Sequence, residues 1–421
     1  MSVSFEATLA VSLLAWLYLL LFHWSFWRAD QRLETNHLEP RVWPEVIAVI
    51  PARDEAQSIV AVLRSHAESR YPGRFSIILV DDHSRDGTAR LAAQVAHKSD
   101  RSITITHAPP LEPGWTGKLA ALHHGLKLAD EQAPEARYVL FTDADIVHAP
   151  ETLTRLVGKA EREQLGLVSM MARLDDRGVW GALLVPAFVF FFQKLYPFRA
   201  VNDPNSSIAG AAGGCSLVSK HRLEQVGGLS AIRERLIDDC AIADRIKNTP
   251  PRTAIWLGLS SGEVISLRDN RSLSSVWSMV TRTAFTQLDY SWWRLIGTLL
   301  GMVLLYLAGP LAVLTSPLHQ DHVLTLLGVG AWGTMAIAYW PTCRLYNRRP
   351  LLAFALPAAG VLYAVMTLVS GLEHWRGRGS QWKGRAYPGR ARTNPTPGPQ
   401  DTGQVFQRAQ HRRRVISRWM R

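Results

Sequence analysis

Apolar and polar positions follow two alternating patterns between residues 46 and 163. Short continuous apolar runs, such as VIAVIP, FSIILV and YVLFT, are typical of strands buried on both faces. Longer segments, such as DGTARLAAQVAHK and PETLTRLVGKAERE, separate them and carry apolar residues at helical spacing. This alternation of strand and helix predicts an α/β fold with a parallel sheet.

Four longer apolar segments flank this region, at 8–27, 295–316, 322–341 and 351–371. Each approaches the length of about 20 apolar residues that a helix needs to cross a bilayer. The first lacks the basic leader and small-residue cleavage site of a signal peptide, and arginines follow it. We therefore interpret it as an uncleaved anchor that leaves residues 30–290 in the cytoplasm.

Loop charges agree with this topology except at the last segment. The turn SPLHQDH carries no Lys or Arg and is expected outside, whereas the loop with Arg344, Arg348 and Arg349 is expected inside. A fourth full span would put the basic tail, with HRRR at 411–414, on the outer side. A re-entrant path for one apolar segment would remove this conflict.

The apolar stretch GALLVPAFVFFFQKLYPF at 181–198 is a separate case. If it crossed the membrane, the acidic motifs before and after it would lie on opposite faces. We therefore predict an interfacial helix, with a buried or tunnel-lining helix as the alternative.

Composition narrows the class of partner. The 421 residues are 47% hydrophobic and carry a net charge of +12. Much of the positive excess lies in the tail and beside the apolar segments, and no nucleic-acid-binding signature is present, so anionic lipid headgroups are the expected contact. Cys215, Cys240 and Cys343 are too widely spaced for a disulfide framework or a zinc site, which predicts reduced, packed thiols.

Polar clusters follow three of the predicted strands: PARDE from residue 51, DDHSRDGT from 81 and DAD from 143. Ligands of parallel sheets bind at the carboxyl ends of strands. Neither a G-x-G-x-x-G nor a G-x-x-x-x-G-K-[ST] motif is present. Asp86 is interpreted as a turn and cap residue, whereas the adjacent Asp81 and Asp82 need donors such as the imide and hydroxyl groups of a nucleotide.

The DAD motif predicts a site for Mg²⁺ or Mn²⁺. Asp143 and Asp145 point the same way if the strand geometry continues past residue 142, and such hard cations take their remaining ligands from phosphates and water. A nucleotide diphosphate is therefore the expected partner. A metal would stabilise charge on a departing diphosphate, and glycosyl transfer fits this requirement. Lys118, in GWTGK near a helix start, is a candidate diphosphate contact.

The LIDDC stretch supplies candidates for a general base. Asp238 and Asp239 precede a helical AIADRIK. One of them can cap this helix while the other accepts the proton of an acceptor hydroxyl. The alternative is that both only cap the helix and complement its dipole.

Between the anchor and the later apolar segments, the chain carries five motifs in the order PARDE, DDHSRDGT, GWTGK, DAD and LIDDC. This ordered set resembles the membrane-bound family 2 glycosyltransferases of the GT-A fold. The stretches PAFVFFFQKLYPFRAVND, AAGGC and QWKGRAY resemble the hopanoid-biosynthesis-associated (hopene-associated) members, over roughly residues 45–388. The resemblance implies a GT-A domain with a mixed, mostly parallel sheet, and an inverting, metal-dependent transfer with Asp239 as the base. It also implies nucleotide contacts from Asp54, Glu55 and Asp82, and contacts to the ribose-diphosphate and metal from Asp143 and Asp145.

The predicted nucleotide-sugar-binding residues are Pro51, Arg53, Asp54, Glu55, Asp81, Asp82, Lys118, Asp143, Gly213, Gly214 and Arg282. The predicted metal ligands are Asp143 and Asp145, and the predicted catalytic residues are Asp239 and Asp238.

One departure from the family bears on the product. Processive members carry Q-x-x-R-W, whereas this chain has MVTRT, with Met279, Arg282 and Thr283. We therefore expect transfer of a single sugar to a lipid, in hopanoid or related metabolism, by a cytoplasm-facing enzyme of the inner membrane. A processive polysaccharide synthase and a non-catalytic membrane scaffold are the alternatives. The expected organisation is an anchor at 1–30, a GT-A domain at 42–272, an interfacial helical region at 273–294, a three-segment transmembrane region at 295–371 and a basic tail at 372–421.

Overall fold

The computed structural model describes residues 2–34 and 40–377, and the backbone of 381–382 and 385–386. Residues Met1–Tyr387 form one structural unit. The HRRR run, and with it most of the predicted basic tail, lies outside the described residues.

A seven-stranded sheet organises the chain from Val46 to Leu259. The strands are β1 (Val46–Ala52), β2 (Phe75–Asp81), β3 (Ile103–His107), β4 (Tyr138–Thr142), β5 (Ile146–His148), β6 (Leu167–Met171), β7 (Cys215–Ser219), β8 (Ile255–Leu259), β9 (Val264–Ser266), β10 (Gln381–Trp382) and β11 (Arg385–Ala386). The sheet order is β3-β2-β1-β4-β7-β6-β8, and β5 pairs with β9 in a separate small sheet. Within the seven-stranded sheet, only β7 runs antiparallel to its neighbours, so the predicted α/β fold with a mixed, mostly parallel sheet is confirmed.

Helices cover both faces of this sheet and continue beyond it. The α-helices are α1 (Ser2–Leu21), α2 (Ile59–Ala67), α3 (Thr88–His97), α4 (Gly117–Gln132), α5 (Thr152–Glu163), α6 (Gly178–Leu195), α7 (Phe198–Asn202), α8 (Lys220–Gln225), α9 (Asp238–Asn248), α10 (Leu273–Thr281), α11 (Ala284–Gln287), α12 (Trp292–Met302), α13 (Ala308–Leu314), α14 (Ser316–His319), α15 (His322–Leu345) and α16 (Leu356–Trp375). A π-helical turn at Val303–Leu307 joins α12 to α13, and a 3₁₀ helix at Pro350–Ala355 precedes α16.

The continuous apolar runs of the sequence reflect burial on both faces of the sheet. Every residue of β1 and of β4 is buried. On one face, α4 packs directly on β1 and β2. Gly125 makes this approach possible, since a Cβ atom there would lie 2.4 Å from Cγ1 of Val49 and 2.9 Å from Cγ2 of Val80. The packing of α4 also fixes its N-terminus, which carries Lys118, over the sheet edge where β1 and β4 end.

Among the described residues, five helical segments are long and apolar enough to cross a membrane, which indicates a membrane protein. Four of them correspond to the apolar segments seen in the sequence, and α6 is the fifth. They comprise Ser4–Leu21, Gly178–Leu195, Trp292–Leu314, His322–Leu345 and Pro350–Trp375.

The helix α6 lies between the α/β domain and the other apolar helices. Val185 and Val189 on α6 belong to the apolar core beneath the sheet. Leu184 and Phe190 belong instead to a second cluster, which Tyr339 and other residues of the apolar helices complete. Two faces of one helix therefore join the two parts of the structure.

The loop after α15 is attached to the α/β domain. Nε of Arg348 donates to Oδ2 of Asp176 at 2.7 Å. Nη1 of Arg173 donates to the carbonyl oxygen of Leu345 at 3.2 Å, and its guanidinium lies over the Tyr346 ring. The end of α15 therefore lies on the same side as the sheet.

Both ends of the final apolar segment, Pro350–Trp375, lie on the side of the α/β domain. Nε1 of Trp332, in the middle of α15, donates to the carbonyl oxygen of Phe354, so the 3₁₀ helix packs alongside α15. The following α16 ends beside the α/β domain, because Oγ of Ser370 donates to the carbonyl oxygen of Thr281 at 2.5 Å and accepts from the backbone N–H of Phe285 at 3.1 Å.

The close contact at Gly125 predicts a stability effect. We expect Gly125→Ala to lower the free energy of unfolding by about 1–3 kcal/mol, because the added methyl group overlaps with Val49 and Val80. The matched control is Gly333→Ala in α15, where a Cβ meets nothing within 4 Å. Thermal unfolding of both variants in detergent tests this, and equal melting temperatures would contradict the packing described for α4.

Candidate active site

A cleft of about 610 Å³ opens where β1 and β4 end. One part of its wall comes from the loops that follow these strands and from the N-termini of α4 and α9. The opposite part comes from α10, α11 and the C-terminal end of α16. The lining residues are Pro51, Glu55, Thr116, Lys118, Asp143, Ala144, Asp145, Arg235, Leu236, Asp238, Arg268, Trp277, Ser278, Thr281, Arg282, Thr283, Phe285, Thr286, Tyr290, Ser370, Glu373 and His374.

Lys118 connects two acidic motifs that are distant in the sequence. Its Nζ lies 2.9 Å from Oδ1 of Asp143 and 3.3 Å from Oδ2 of Asp238. Thr116 precedes α4 as its N-cap, and its Oγ1 accepts from the backbone N–H of Leu119. Burial lowers the pKa of Lys118, but the charges of Asp143 and Asp238 outweigh burial and hold that pKa above its ordinary value. Lys118 is therefore a fixed positive charge at the centre of the cleft.

The DAD motif forms a turn rather than an extension of β4, which ends at Thr142. The extended geometry assumed from the sequence is not present, yet Asp143 and Asp145 both line the cleft, and Ala144 between them is buried. Burial, together with the negative charges of Asp143 and Glu55, raises the pKa of Asp145 to about 6. The site thus concentrates negative charge that a bound cation would compensate.

The donor set fits a hard divalent cation that takes only part of its coordination from the protein. Asp143 and Asp145 offer carboxylate oxygens, which suit Mg²⁺ or Mn²⁺. Within residues 2–34 and 40–377, no group of three or more His, Cys, Asp or Glu side chains is arranged to hold a metal. The two carboxylates would therefore share a cation with ligand oxygens instead of enclosing it.

Asp238 and Asp239 begin α9 and have different surroundings. Asp238 lines the main cleft and pairs with Lys118. Oδ1 of Asp239 accepts from the backbone N–H of Cys240 at 2.7 Å. Burial first, and the charge of Asp238 second, raise the pKa of Asp239 to about 6. A Cβ at Gly213 would lie 3.3 Å from both Oδ2 of Asp239 and Nζ of Lys118, so this glycine leaves space beside the carboxylate.

Hydrogen bonds join the PARDE loop to the DDHSRDGT loop. Nη1 of Arg53 donates to the carbonyl oxygen of Asp82 at 2.7 Å and lies 3.3 Å from its Oδ2. Oδ1 of Asp54 accepts from the backbone N–H of Arg85 at 2.8 Å. Asp86 accepts from the N–H groups of Ala56 and Thr88, as expected for a turn and cap residue. These bonds fix the shape of both loops.

Asp81 is buried at the end of β2, and one of its carboxylate oxygens has no hydrogen-bond partner among the described residues. Its Oδ2 lies 3.2 Å from Nδ1 of His107 and 3.3 Å from the backbone N–H of Ser84. Among the described residues, no partner is found for its buried Oδ1. Such an oxygen can accept a hydrogen bond from a ligand.

The structure brings together only part of the predicted set. The predicted residues that line the main cleft are Pro51, Glu55, Lys118, Asp143, Asp145, Asp238 and Arg282. Gly213 and Asp239 line a smaller pocket of about 20 Å³, whose wall also includes Lys118, Asp143 and Asp238. Arg53, Asp54, Asp81, Asp82 and Gly214 line neither space.

Several cleft residues were not identified from the sequence. Arg235 precedes α9, Arg268 follows β9, and Glu373 and His374 belong to α16. Arg268 lies close enough to Asp145 to oppose the rise in its pKa. A local sequence signal existed for Arg235, which directly precedes LIDDC, but none connects α16 to the acidic motifs.

Comparison with known proteins agrees with this geometry. Residues 47–227 match the family described as Glycosyl transferase family 2. An undecaprenyl-phosphate 4-deoxy-4-formamido-L-arabinose transferase of Pseudomonas savastanoi is 34% identical over 195 residues, which are 45% of this chain and 51% of that protein. A beta-monoglucosyldiacylglycerol synthase of Trichormus variabilis is 23% identical over 208 residues, which are 48% of this chain and 41% of that protein.

A solved structure covers more of the chain. Mannosyltransferase PcManGT from Pyrobaculum calidifontis, in complex with GDP-Man and Mn²⁺, superposes with a TM-score of 0.55 at 18% identity, over 87% of this chain and 99% of that one. The fold is therefore GT-A, as predicted. Residues 47–227 match a family 2 glycosyltransferase domain, which supports the prediction of a glycosyltransferase. The chain spans about half or less of the length of the two curated relatives, and the family match ends before α9.

The central position of Lys118 predicts a destabilised variant. We expect Lys118→Met to lower the free energy of unfolding by about 1–3 kcal/mol, because Asp143 and Asp238 lose a partly buried counter-charge. Lys127→Met is the matched control, since Lys127 is exposed on the same helix. Thermal unfolding in detergent with a chelator tests this, and a variant as stable as the control would contradict a structural role for the ion pairs.

Proposed function

We propose that this protein is a metal-dependent inverting glycosyltransferase that moves one sugar from a nucleotide-diphosphate donor to a membrane lipid. The observation that carries the proposal is the single cleft in which Asp143, Asp145, Lys118 and Asp238 face a wall built from apolar helices. A donor site and a membrane-side wall in one cavity suit transfer from a soluble nucleotide sugar to a lipid.

The β1–β2 edge is the proposed site for the nucleotide. The Arg53–Asp82 pair and the interlocked loops supply a rigid surface with acceptor oxygens. The buried Oδ1 of Asp81 is suited to the imide N–H of a base, since it has no partner among the described residues. Glu55 lines the adjoining part of the cleft.

The diphosphate is proposed to lie between Lys118 and the DAD turn. Asp143 and Asp145 would hold Mg²⁺ or Mn²⁺, which would neutralise charge on the departing diphosphate. Lys118 and Arg282 line the same cleft and supply cationic groups for phosphate oxygens. The Mn²⁺ in the PcManGT structure supports this choice of cation.

Asp239 is the proposed general base. Asp238 is paired with Lys118, whereas Asp239 faces the space left by Gly213. A pKa of about 6 places Asp239 in the range where a carboxylate both ionises and accepts a proton near neutral pH. The acceptor oxygen attacks the anomeric carbon, the bond to the diphosphate breaks, and the acceptor proton moves to the Asp239 carboxylate.

The lipid acceptor is proposed from the far wall of the cleft. Trp277, Phe285 and Ser370 belong to helices that pack against apolar segments of spanning length. Both curated relatives carry names that describe transfer to lipids. A hopanoid or related lipid is the proposed acceptor class on the strength of the resemblance to the hopene-associated members.

The path of the chain supports three crossings and one re-entrant segment. The α/β domain contacts the residues after α1, since Asp30 pairs with Arg199, and it contacts the loop after α15 through Arg348. The segment Pro350–Trp375 starts at that loop and ends at the cleft, so both of its ends lie on the catalytic side. With this side in the cytoplasm of the inner membrane, the basic tail also follows the positive-inside rule.

The catalytic assignment predicts selective losses of transfer. Detergent-purified protein is incubated with labelled nucleotide sugars and a bacterial lipid extract, with and without Mn²⁺. We expect Asp145→Ala and Asp239→Asn each to reduce transfer by about 10²–10⁴-fold, since they remove a metal ligand and a base. Asp100→Asn, an exposed surface change, is the control.

The pH profile separates the two roles in this assay. Wild-type turnover should rise with pH through about 6, because Asp239 must lose its proton to act as a base. Loss of that rise in the residual activity of Asp239→Asn would identify Asp239 as the titrating group. Full activity of Asp239→Asn would remove the general-base assignment, and no transfer from any donor by folded wild type would favour the scaffold alternative.

The re-entrant path predicts which positions are accessible from outside. Gln320→Cys, in the turn between α14 and α15, should react with an impermeant maleimide in intact spheroplasts. Arg376→Cys, just after α16, should react only after permeabilisation. The three native cysteines are buried and provide a low background. Labelling of Arg376→Cys in intact cells would show that the last segment crosses the membrane.

A further inference from the structure

We infer that the C-terminal end of α16 is the headgroup site for the acceptor, and that Glu373 selects an uncharged, hydroxylated lipid over a lipid phosphate. This inference rests on the proposed function and deepens it. It concerns a part of the cleft that lies beyond the family match, which ends at residue 227.

The position of Glu373 fits an acceptor contact better than a donor contact. The donor-side groups Pro51, Glu55 and Asp143 follow β1 and β4, whereas Glu373 belongs to the opposite wall. A lipid must keep its tail in hydrocarbon while its reacting oxygen reaches the α9 end of the cleft. The helix α16 meets both requirements, because Val361 and Val365 expose apolar surface and Glu373 lines the cleft.

The end of α16 is held in place, so the Glu373 backbone is preorganised. The His374 ring stacks on Tyr290 with centroids 4.6 Å apart and contacts Phe285 at 5.4 Å. One turn earlier, Ser370 bonds to Thr281 and Phe285, and Gly371 lets Leu295 approach to within 2.8 Å of where a Cβ would be. These contacts fix the helix end beside the segment that carries Arg282.

The carboxylate of Glu373 is available to a ligand. In the described part of the chain, no hydrogen bond or ion pair engages it, although it lines a cavity rich in polar groups. A carboxylate accepts hydrogen bonds from hydroxyl groups and repels phosphate oxygens. Glu373 therefore favours an acceptor whose headgroup offers hydroxyl donors.

The balance of charges in the cleft also favours an acceptor without a phosphate group. The cleft's five carboxylates exceed its four lysine and arginine side chains, and a divalent cation and a diphosphate carry opposite charges of similar size. The occupied cleft therefore keeps no positive excess for a second phosphate group. The carboxylates are Glu55, Asp143, Asp145, Asp238 and Glu373, and the lysine and arginine side chains are Lys118, Arg235, Arg268 and Arg282.

The test compares two acceptors and three variants of the full-length protein in detergent. One acceptor is the neutral fraction of a bacterial lipid extract, from which acidic lipids have been removed by anion exchange, and the other is undecaprenyl phosphate. Glu373→Ala removes the hydroxyl contact, and Glu373→Gln keeps an amide oxygen as a weaker acceptor. Glu135→Ala is the matched control, because Glu135 is exposed and lies away from the cleft.

We expect wild type to form a glycolipid that anion exchange does not retain. Glu373→Ala should reduce that transfer by about tenfold or more, with Glu373→Gln in between, because a hydrogen bond to a charged group is lost. Donor affinity and slow donor hydrolysis without lipid should stay at wild-type values in both variants. Those two readouts would fall together with transfer if the substitutions only disturbed the fold.

Other results would overturn the inference. Transfer to neutral lipid that Glu373→Ala leaves unchanged, or wild-type preference for undecaprenyl phosphate, would reject Glu373 as the selecting residue and leave the proposed function intact. Loss of donor affinity and donor hydrolysis in both variants would assign Glu373 a structural role instead. Transfer to neither acceptor by folded wild type would reject the proposed function, and this inference with it.

Discussion

The concentration of carboxylates at one sheet edge is the constraint on which the rest of the structure depends. Asp143, Asp145 and Asp238 line one cleft, and like charges so placed oppose folding. Lys118 offsets part of this repulsion, and its position depends on α4 packing tightly against β1 and β2 through Gly125. The close helix–sheet contact therefore serves the charge balance of the site as well as the core.

The sequence predicted the α/β part well because its signals are local. Continuous apolar runs identified β1, β2 and β4, since strands covered on both faces have no polar side to show. Polar motifs after those strands indicated the site, because parallel strands bring their carboxyl ends to one edge. The turn at DAD shows the limit of that reasoning, since strand periodicity says nothing about residues beyond Thr142.

The membrane-side wall could not be predicted for a physical reason. Hydropathy identifies a segment that can enter a bilayer, but crossing and re-entry need the same apolar length. The proposed re-entrant path rests on tertiary contacts instead: Trp332 donates to the carbonyl oxygen of Phe354, and Ser370 donates to that of Thr281. No periodicity in the sequence indicates either contact, so the sequence alone places Glu373 and His374 in the basic tail at 372–421 instead of the site.

The match to the glycosyltransferase family covers one wall of the cleft and not the other. The segment that matches the family contains β1, β2, β4 and the DAD turn, which form the proposed donor side. The wall from α10 to α16 lies outside that match, and among the described residues it contributes the charges of Arg282 and Glu373 to the cleft. Donor chemistry can therefore be shared among relatives while the acceptor differs, because separate parts of the chain would recognise the two substrates. The relatives' lipid acceptors are accordingly a weaker guide to this protein's acceptor than the charge that α16 places in the cleft.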